Sequence, residues 1–471
     1  MSGEIHVLEL LELVAYLVLC IAIGFIYSKR SQSSEEEYWV AGRFLNKGWG
    51  AFAMYAVIGS ASTIMGSAGI AYKAGVSTTA AIALGFAMQF PIIAFLTCGP
   101  LLEKNICTLG DFFNDRIGGK HVRWAYSIIS LVFMAMYVVP NLKAGTIISN
   151  YLTGGLIDFK VMTVIMGIIL LIYSCVGGMW AVTITDIIQG VIMMAGVLLL
   201  GAVIMLHVGD FGGVSGLIET AIAAKPGITK MAYTAPSAIG LALIWALYGL
   251  VSPSGVMRVL TMNNGKSAKR SMLLGSIFAS STVLIASLIA LTAATIDPAL
   301  ENADMAFIIV MEKYFPAIIN GFLVASLFAA IMSSVDSFLL SCSATIARDM
   351  YKGLINPAAD EKTVIRLGMI SLWVVGAVVI GVSLFNLPLI SILAGWAAGG
   401  CISAFAAPLV IGLYWKGISK NGVFWSMVVG IITYIALNRS GKWPSMAEIL
   451  VAVPVSVVVC FAVSKASPDR K

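Results

Sequence analysis

The sequence predicts an all-α polytopic membrane protein with about thirteen transmembrane helices. Three observations carry that prediction: the composition, the length of the apolar runs, and the alternation of basic residues between them. Apolar residues make up 59% of the 471 positions and charged residues 11%, against roughly 45–50% and about 25% in soluble domains. Mean hydropathy is +0.96. A soluble core of this length cannot hide so much apolar side chain, so lipid has to be the solvent for much of it.

A spanning helix needs about 20 mainly apolar residues. Such runs lie near 7–27, 48–72, 77–101, 124–149, 159–179, 182–207, 235–256, 271–295, 316–344, 364–385, 388–414, 422–437 and 446–464. They follow one another closely enough to make 1–471 a single transmembrane domain. Lys29, Arg30, Arg43 and Lys47 follow the first run, and Lys104, Arg116, Lys120 and Arg123 the third. Arg258, Lys266, Lys269 and Arg270 follow the seventh; Arg348, Lys352, Lys362 and Arg366 the ninth; Lys416 and Lys420 the eleventh; Lys465, Arg470 and Lys471 the last. The alternate loops hold only scattered bases. Basic loops stay cytoplasmic, so the N-terminus is expected outside and the C-terminus inside a multi-pass cell (inner) membrane protein. The link between the fifth and sixth runs carries no base, and its side follows from its neighbours.

Several function classes fall away. The seven cysteines show no CxxC or Cys/His ligand spacing and read as small apolar helix residues. His6, His121 and His207 fall near segment ends and form no metal cluster. No catalytic His/Asp/Glu grouping is visible, so the chain is not expected to be an enzyme. The net charge of +6 fits loop topology better than a nucleic-acid partner. Residues 7–27 lack a signal-peptide cleavage pattern.

Two runs read as interrupted helices. The second contains "IGSASTIMGSAG" (58–69), dense in Gly and Ser at its middle, and the seventh contains "YGLVSPSGVMR" (248–258), with Pro253 among Gly249, Ser252, Ser254 and Gly255. Proline deletes a backbone donor, and small residues permit either unwinding or close helix packing. Two such breaks five spans apart fit transporters whose site forms where discontinuous helices meet. In the ninth run, "AAIMSSVDSFLLSCSAT" (329–345), Ala330, Ser333, Ser334 and Ser337 follow i, i+3, i+4, i+7 and share one stripe, flanked by Asp336. Hydroxyls, a carboxylate and carbonyls freed by an unwound neighbour are hard oxygen ligands, suited to an alkali cation; serine back-bonding and helix packing are the competing explanation. Two further charges lie inside spans, Asp186 at the start of the sixth and Lys143 past the middle of the fourth. Intramembrane charges are expensive and usually pair with one another or serve an ion or substrate. Lys143 is therefore expected to face a carboxylate or an anionic solute.

These stretches resemble the sodium/solute symporter family over nearly the whole chain. "EEEYWVAGRFL" (35–45) and "TLGDFFNDRIG" (108–118) are similar to its first two cytoplasmic loops. "YSCVGGMWAVTITDIIQG" (173–190) resembles its signature, "AAIMSSVDSFLLSCSATIARDMY" (329–351) its ninth span, and "APLVIGLYWKGISKNG" (407–422) the end of its eleventh. The resemblance implies a LeuT-type core in which spans 2–6 (48–207) and 7–11 (235–414) are inverted repeats, and sodium-driven import by alternating access. It implies a sodium site made by backbone carbonyls at Ala56 and Gly59, a carbonyl at Ala330, and the hydroxyls of Ser333 and Ser334. Some relatives hold a second sodium through an aspartate that matches Asp186 and two hydroxyls that match positions 336 and 337. Position 336 is aspartate here, which leaves three roles open: a tighter second sodium site with Ser337, a proton site, or a partner for Lys143. Solute contacts carried over by position are Thr63, Trp245 and Tyr248, with Gln89 a looser match; Ser60 and Ser252 at the two breaks and Lys143 complete the candidate set. Lys143 favours a short organic monocarboxylate as solute, with a neutral amino acid or sugar as the alternative and a proton-coupled carrier or a channel behind both. A monomer is expected.

Overall fold

The computed structural model describes residues 5–104, 106–176 and 178–469; Gly177 of the quoted signature and the basic pair Arg470 and Lys471 lie outside them. Among the described residues the only β-pairing is an isolated bridge between Leu45 and Met262. The helices follow the predicted order: α1 (Val7–Ser31), α2a (Trp49–Ile58) and α2b (Ala61–Ala74), α3 (Ser77–Leu96), α4 (Lys120–Leu152), α5 (Phe159–Val176), α6 (Gly178–His207), α7a (Ala235–Val251) and α7b (Pro253–Leu260), α8 (Gly265–Ile296), α9 (Ala317–Ala344), α10 (Glu361–Ser383), α11 (Ile390–Tyr414), α12 (Lys420–Ser440) and α13 (Ile449–Ala466). Ten of them are each long and apolar enough to cross a membrane, and the two bent pairs raise this to twelve. The fifth predicted span is α5, an apolar helix of 18 residues that is not among those twelve. The expected count of thirteen includes it.

Both interruptions form where small residues and proline predict them. The chain bends by 52° between α2a and α2b and by 48° between α7a and α7b. At the first break Gly59 leaves the helical region (ψ 56) and Ser60 is extended (ψ 176). At the second, Ser252 is extended and Pro253 takes the first position of α7b, where its missing N–H has no helical partner to lose. The Ser252 side chain caps the new helix by accepting from the Gly255 amide at 3.4 Å.

Burial separates lipid-facing helices from the centre. On α1, Leu11, Val18, Phe25 and Ile26 are exposed, as expected of side chains turned to acyl tails. On α9 every residue from Leu323 to Ala344 is buried, so its hydroxyl stripe does not face lipid. Helix α9 packs against α4, α6 and α1, and its Ser333 region meets α2a. Helix α6 can approach α2a because position 190 is glycine: a Cβ there would lie 2.3 Å from the Phe52 carbonyl oxygen. Beyond α9 the backbone widens into π geometry over Thr345–Ile355.

Candidate ion and solute site

The broken α2 exposes backbone that its own ladder no longer uses. Thr63 Oγ1 donates to the Ile58 carbonyl at 2.8 Å, satisfying one acceptor left by the break. The Ala61 amide donates to Asn141 Oδ1 at 3.2 Å, which fixes the start of α2b against α4. The Ala56 carbonyl receives the Ser333 hydroxyl at 2.8 Å, and the same hydroxyl lies 3.3 Å from the Ala330 carbonyl. The Ser333 hydroxyl is thus within hydrogen-bond reach of two of the other four predicted sodium ligands. The fourth, Ser334, is fully buried, and its Oγ has no hydrogen-bond partner among the described residues. The fifth, Gly59, sits at the bend itself. An all-oxygen set with one orphaned hydroxyl, on two helices that meet at a break, suits an alkali ion.

One turn along α9 lies a second cluster. Asp186 is fully buried and Asp336 is 1% exposed. Arg258 of α7b, also 1% exposed, donates to Asp186 Oδ2, to Thr183 Oγ1 at 2.6 Å and to Ser337 Oγ at 3.3 Å. Neither oxygen of Asp336 accepts a hydrogen bond among the described residues. Arg258 is not the loop base that its place after the seventh apolar run implies: α7b turns back into the bundle and carries it inward, between apolar neighbours Met257 and Val259 that are also buried.

Lys143 does not meet Asp186 or Asp336. Its Nζ donates to Asp304 Oδ2 at 2.8 Å and to the Pro388 carbonyl at 2.9 Å, and the Ile390 amide also points at Asp304, at 3.4 Å. Lys143 therefore faces a carboxylate, as one expectation had it, but that carboxylate belongs to the connector between α8 and α9. The connector reaches it because residue 69 is glycine: a Cβ there would lie 2.9 Å from Asp304 Oδ1. Burial raises the Asp304 carboxyl above the usual carboxylate range against the pull of Lys143. Of the three roles open to Asp336, pairing with Lys143 falls away.

The remaining solute candidates gather between the two breaks. Ser60 and Ser62 share a 2.5 Å hydroxyl contact, and Ser252 and Ser254 one of 2.9 Å. Tyr248 stacks on Tyr137 with ring centroids 5.0 Å apart, and Trp245 stacks on Phe86 at 4.9 Å. Gln89 lies against Gly249, where a Cβ would meet its amide carbon at 2.9 Å. Both polar atoms of Gln89, Trp245 Nε1 and the Tyr248 hydroxyl are buried without hydrogen-bond partners among the described residues. Four orphaned neutral donors and acceptors in one region are the usual mark of a ligand or ordered water.

Ion pairs tie the opposite end of the bundle. Arg348 binds Glu35 at 2.5 Å and Asp111 at 3.0 Å, and Arg123 lies 3.6 Å from both Asp111 and Asp349. Arg123 and Lys143 sit on the same helix, 20 residues or about 30 Å apart.

The sodium:solute symporter family model matches residues 38–430. A sodium/proline symporter of Staphylococcus aureus (strain JH9) is 28% identical, the match covering 96% of this chain and 91% of the relative. Among solved structures, a Na+-coupled sialic acid symporter in a substrate-bound outward-open state superposes with a TM-score of 0.82 at 20% identity, covering 98% of this chain and 99% of that one. Mhp1, a nucleobase-cation-symport-1 family transporter, superposes at 0.54 with 13% identity, covering 91% and 95%. At these identities the two structures speak to the fold, which is LeuT-like.

Proposed function

Because this chain belongs to the sodium:solute symporter family, a family of sodium-coupled transporters rather than enzymes, we propose that it imports a small, overall uncharged polar solute with sodium bound between α2 and α9. Solute and sodium are its ligands, and it is a multi-pass membrane protein. The observation that carries the sodium site is the Ser333 hydroxyl on the Ala56 carbonyl, beside the orphaned Ser334 hydroxyl. Sodium there holds α2 and α9 together in one conformation and raises solute affinity in that conformation, since coupling requires differential affinity between states. Separation of the two helices frees ion and solute together. The membrane potential adds about 2.3 kcal/mol per charge per 100 mV to inward sodium movement.

The solute follows from the neutral polar set of Gln89, Trp245, Tyr248 and the break serines. Lys143 does not call for a monocarboxylate, because Asp304 and the Pro388 carbonyl take up its charge. A zwitterionic amino acid suits a set of neutral hydrogen-bonding groups, and the relatives named as sodium/proline symporters make proline the first solute to try. The remaining assignments are a monomer in the cell membrane, N-terminus outside, with 48–207 and 235–414 as inverted repeats. Uptake of radiolabelled proline and other amino acids into proteoliposomes tests the proposal. Accumulation that needs an inward sodium gradient supports it, and uptake indifferent to sodium contradicts it.

A further inference from the structure

We infer that the Arg258 guanidinium is a tethered cation: it fills the oxygen pocket of Asp186, Thr183 and Ser337 that a second free cation would take, and so limits the protein to one sodium per cycle. The inference rests on the sodium site proposed between α2 and α9. Three helices converge on the guanidinium, with Asp186 and Thr183 from α6 and Ser337 from α9 accepting from an arginine of α7b. These acceptors are a carboxylate and two hydroxyls, a donor set that an alkali ion would otherwise find suitable. A guanidinium is planar, always charged and more weakly hydrated than an ammonium, which suits it to burial against such a set.

Charge balance gives the same count. In this cluster the buried carboxylates are Asp186 and Asp336. Arg258 answers one of them directly. Asp336 follows Ser333 by three residues on α9, hence about one turn away on a neighbouring face, and its oxygens accept no hydrogen bond among the described residues. With Asp336 ionised, a single sodium on Ser333 and Ser334 brings the group to neutrality. A second sodium would add an uncompensated positive charge beside the guanidinium in a water-poor interior, which is strongly unfavourable.

Equilibrium binding of radioactive sodium to purified protein in detergent tests this without transport. One sodium per chain is expected. Two sodium ions per chain overturn the inference, whereas none overturns the sodium site itself. In Arg258→Ala the count should rise to two, because Asp186, Thr183 and Ser337 are released to a free ion; a folded variant that still binds one overturns the inference. Should that variant not fold, Asp186→Asn/Arg258→Ala keeps the buried charges balanced and should bind one, and a count of two there overturns it.

Discussion

Replacing Ser333 with alanine removes one oxygen from the five proposed around sodium and leaves the backbone of α9 intact. The hydroxyl touches both the Ala56 and Ala330 carbonyls, so the variant loses a link between α2 and α9 as well as a ligand. A hydrogen bond or ligand contact to a charged group contributes about 1.5–3 kcal/mol net. At about 1.4 kcal/mol per tenfold, half-maximal sodium should rise by about 10- to 150-fold. The alanine also forfeits the hydroxyl's bond to the Ala56 carbonyl in the sodium-free protein, worth about 1 kcal/mol of stability. Initial-rate uptake into proteoliposomes across a sodium titration, at saturating solute, reads the first effect; thermal melting without sodium reads the second. Half-maximal sodium within about twofold of the unaltered protein would refute Ser333 as a ligand, because the smallest contribution argued for is about tenfold.

The other expected outcomes concern the solute region and the buried ion pair. Gln89→Ala removes both orphaned amide atoms and should raise the KM for solute about 2- to 12-fold, the cost of one neutral hydrogen bond, with the sodium dependence unchanged; an unaltered KM places Gln89 outside the solute site. Lys143→Met strands a fully buried carboxylate and should destabilise by about 3 kcal/mol or more, while Lys143→Met/Asp304→Asn should recover part of that loss. Equal melting temperatures for the single and double variants would contradict a pair. Because burial raises the Asp304 carboxyl, the folded protein holds its proton more tightly than the unfolded chain does. Its contribution to stability is fullest below the ordinary carboxylate range and is lost as pH rises through the raised value. Asp304→Asn should therefore flatten the decline in melting temperature over that acidic window, and an unchanged decline would contradict the assignment.

The two broken helices and the hydroxyl stripe on α9 were legible in the sequence because each has a local cause, whereas the neighbourhood of α9 with α2 followed only from the family resemblance. Glycine, serine and proline interrupt a helix wherever they cluster, and a polar stripe inside an apolar run cannot face lipid. Arg258 and Asp304 were not legible because their burial is tertiary. Arg258 stands at the end of an apolar run, where counting bases by loop assigns it to the cytoplasm; only the 48° bend shows that α7b folds inward. The apolar residues on both sides of it, Val256 and Met257 before and Val259 and Leu260 after, were the available signal. Asp304 lies in "ENADMAF", a polar stretch that reads as a connector, and it is buried because Gly69 lets that connector close on α2b. Without those two residues, Lys143 is the nearest cation for the intramembrane aspartates, and the solute is drawn toward a monocarboxylate.

Everything proposed for transport depends on sodium sitting between the break of α2 and the serine face of α9. A high-resolution experimental structure obtained in sodium, and again with sodium replaced by choline, tests it most directly. Density coordinated by the Ala56, Gly59 and Ala330 carbonyls and the Ser333 and Ser334 hydroxyls is expected, present only in sodium. Sodium density held elsewhere in the bundle, with those five oxygens engaged only by protein atoms, would contradict it.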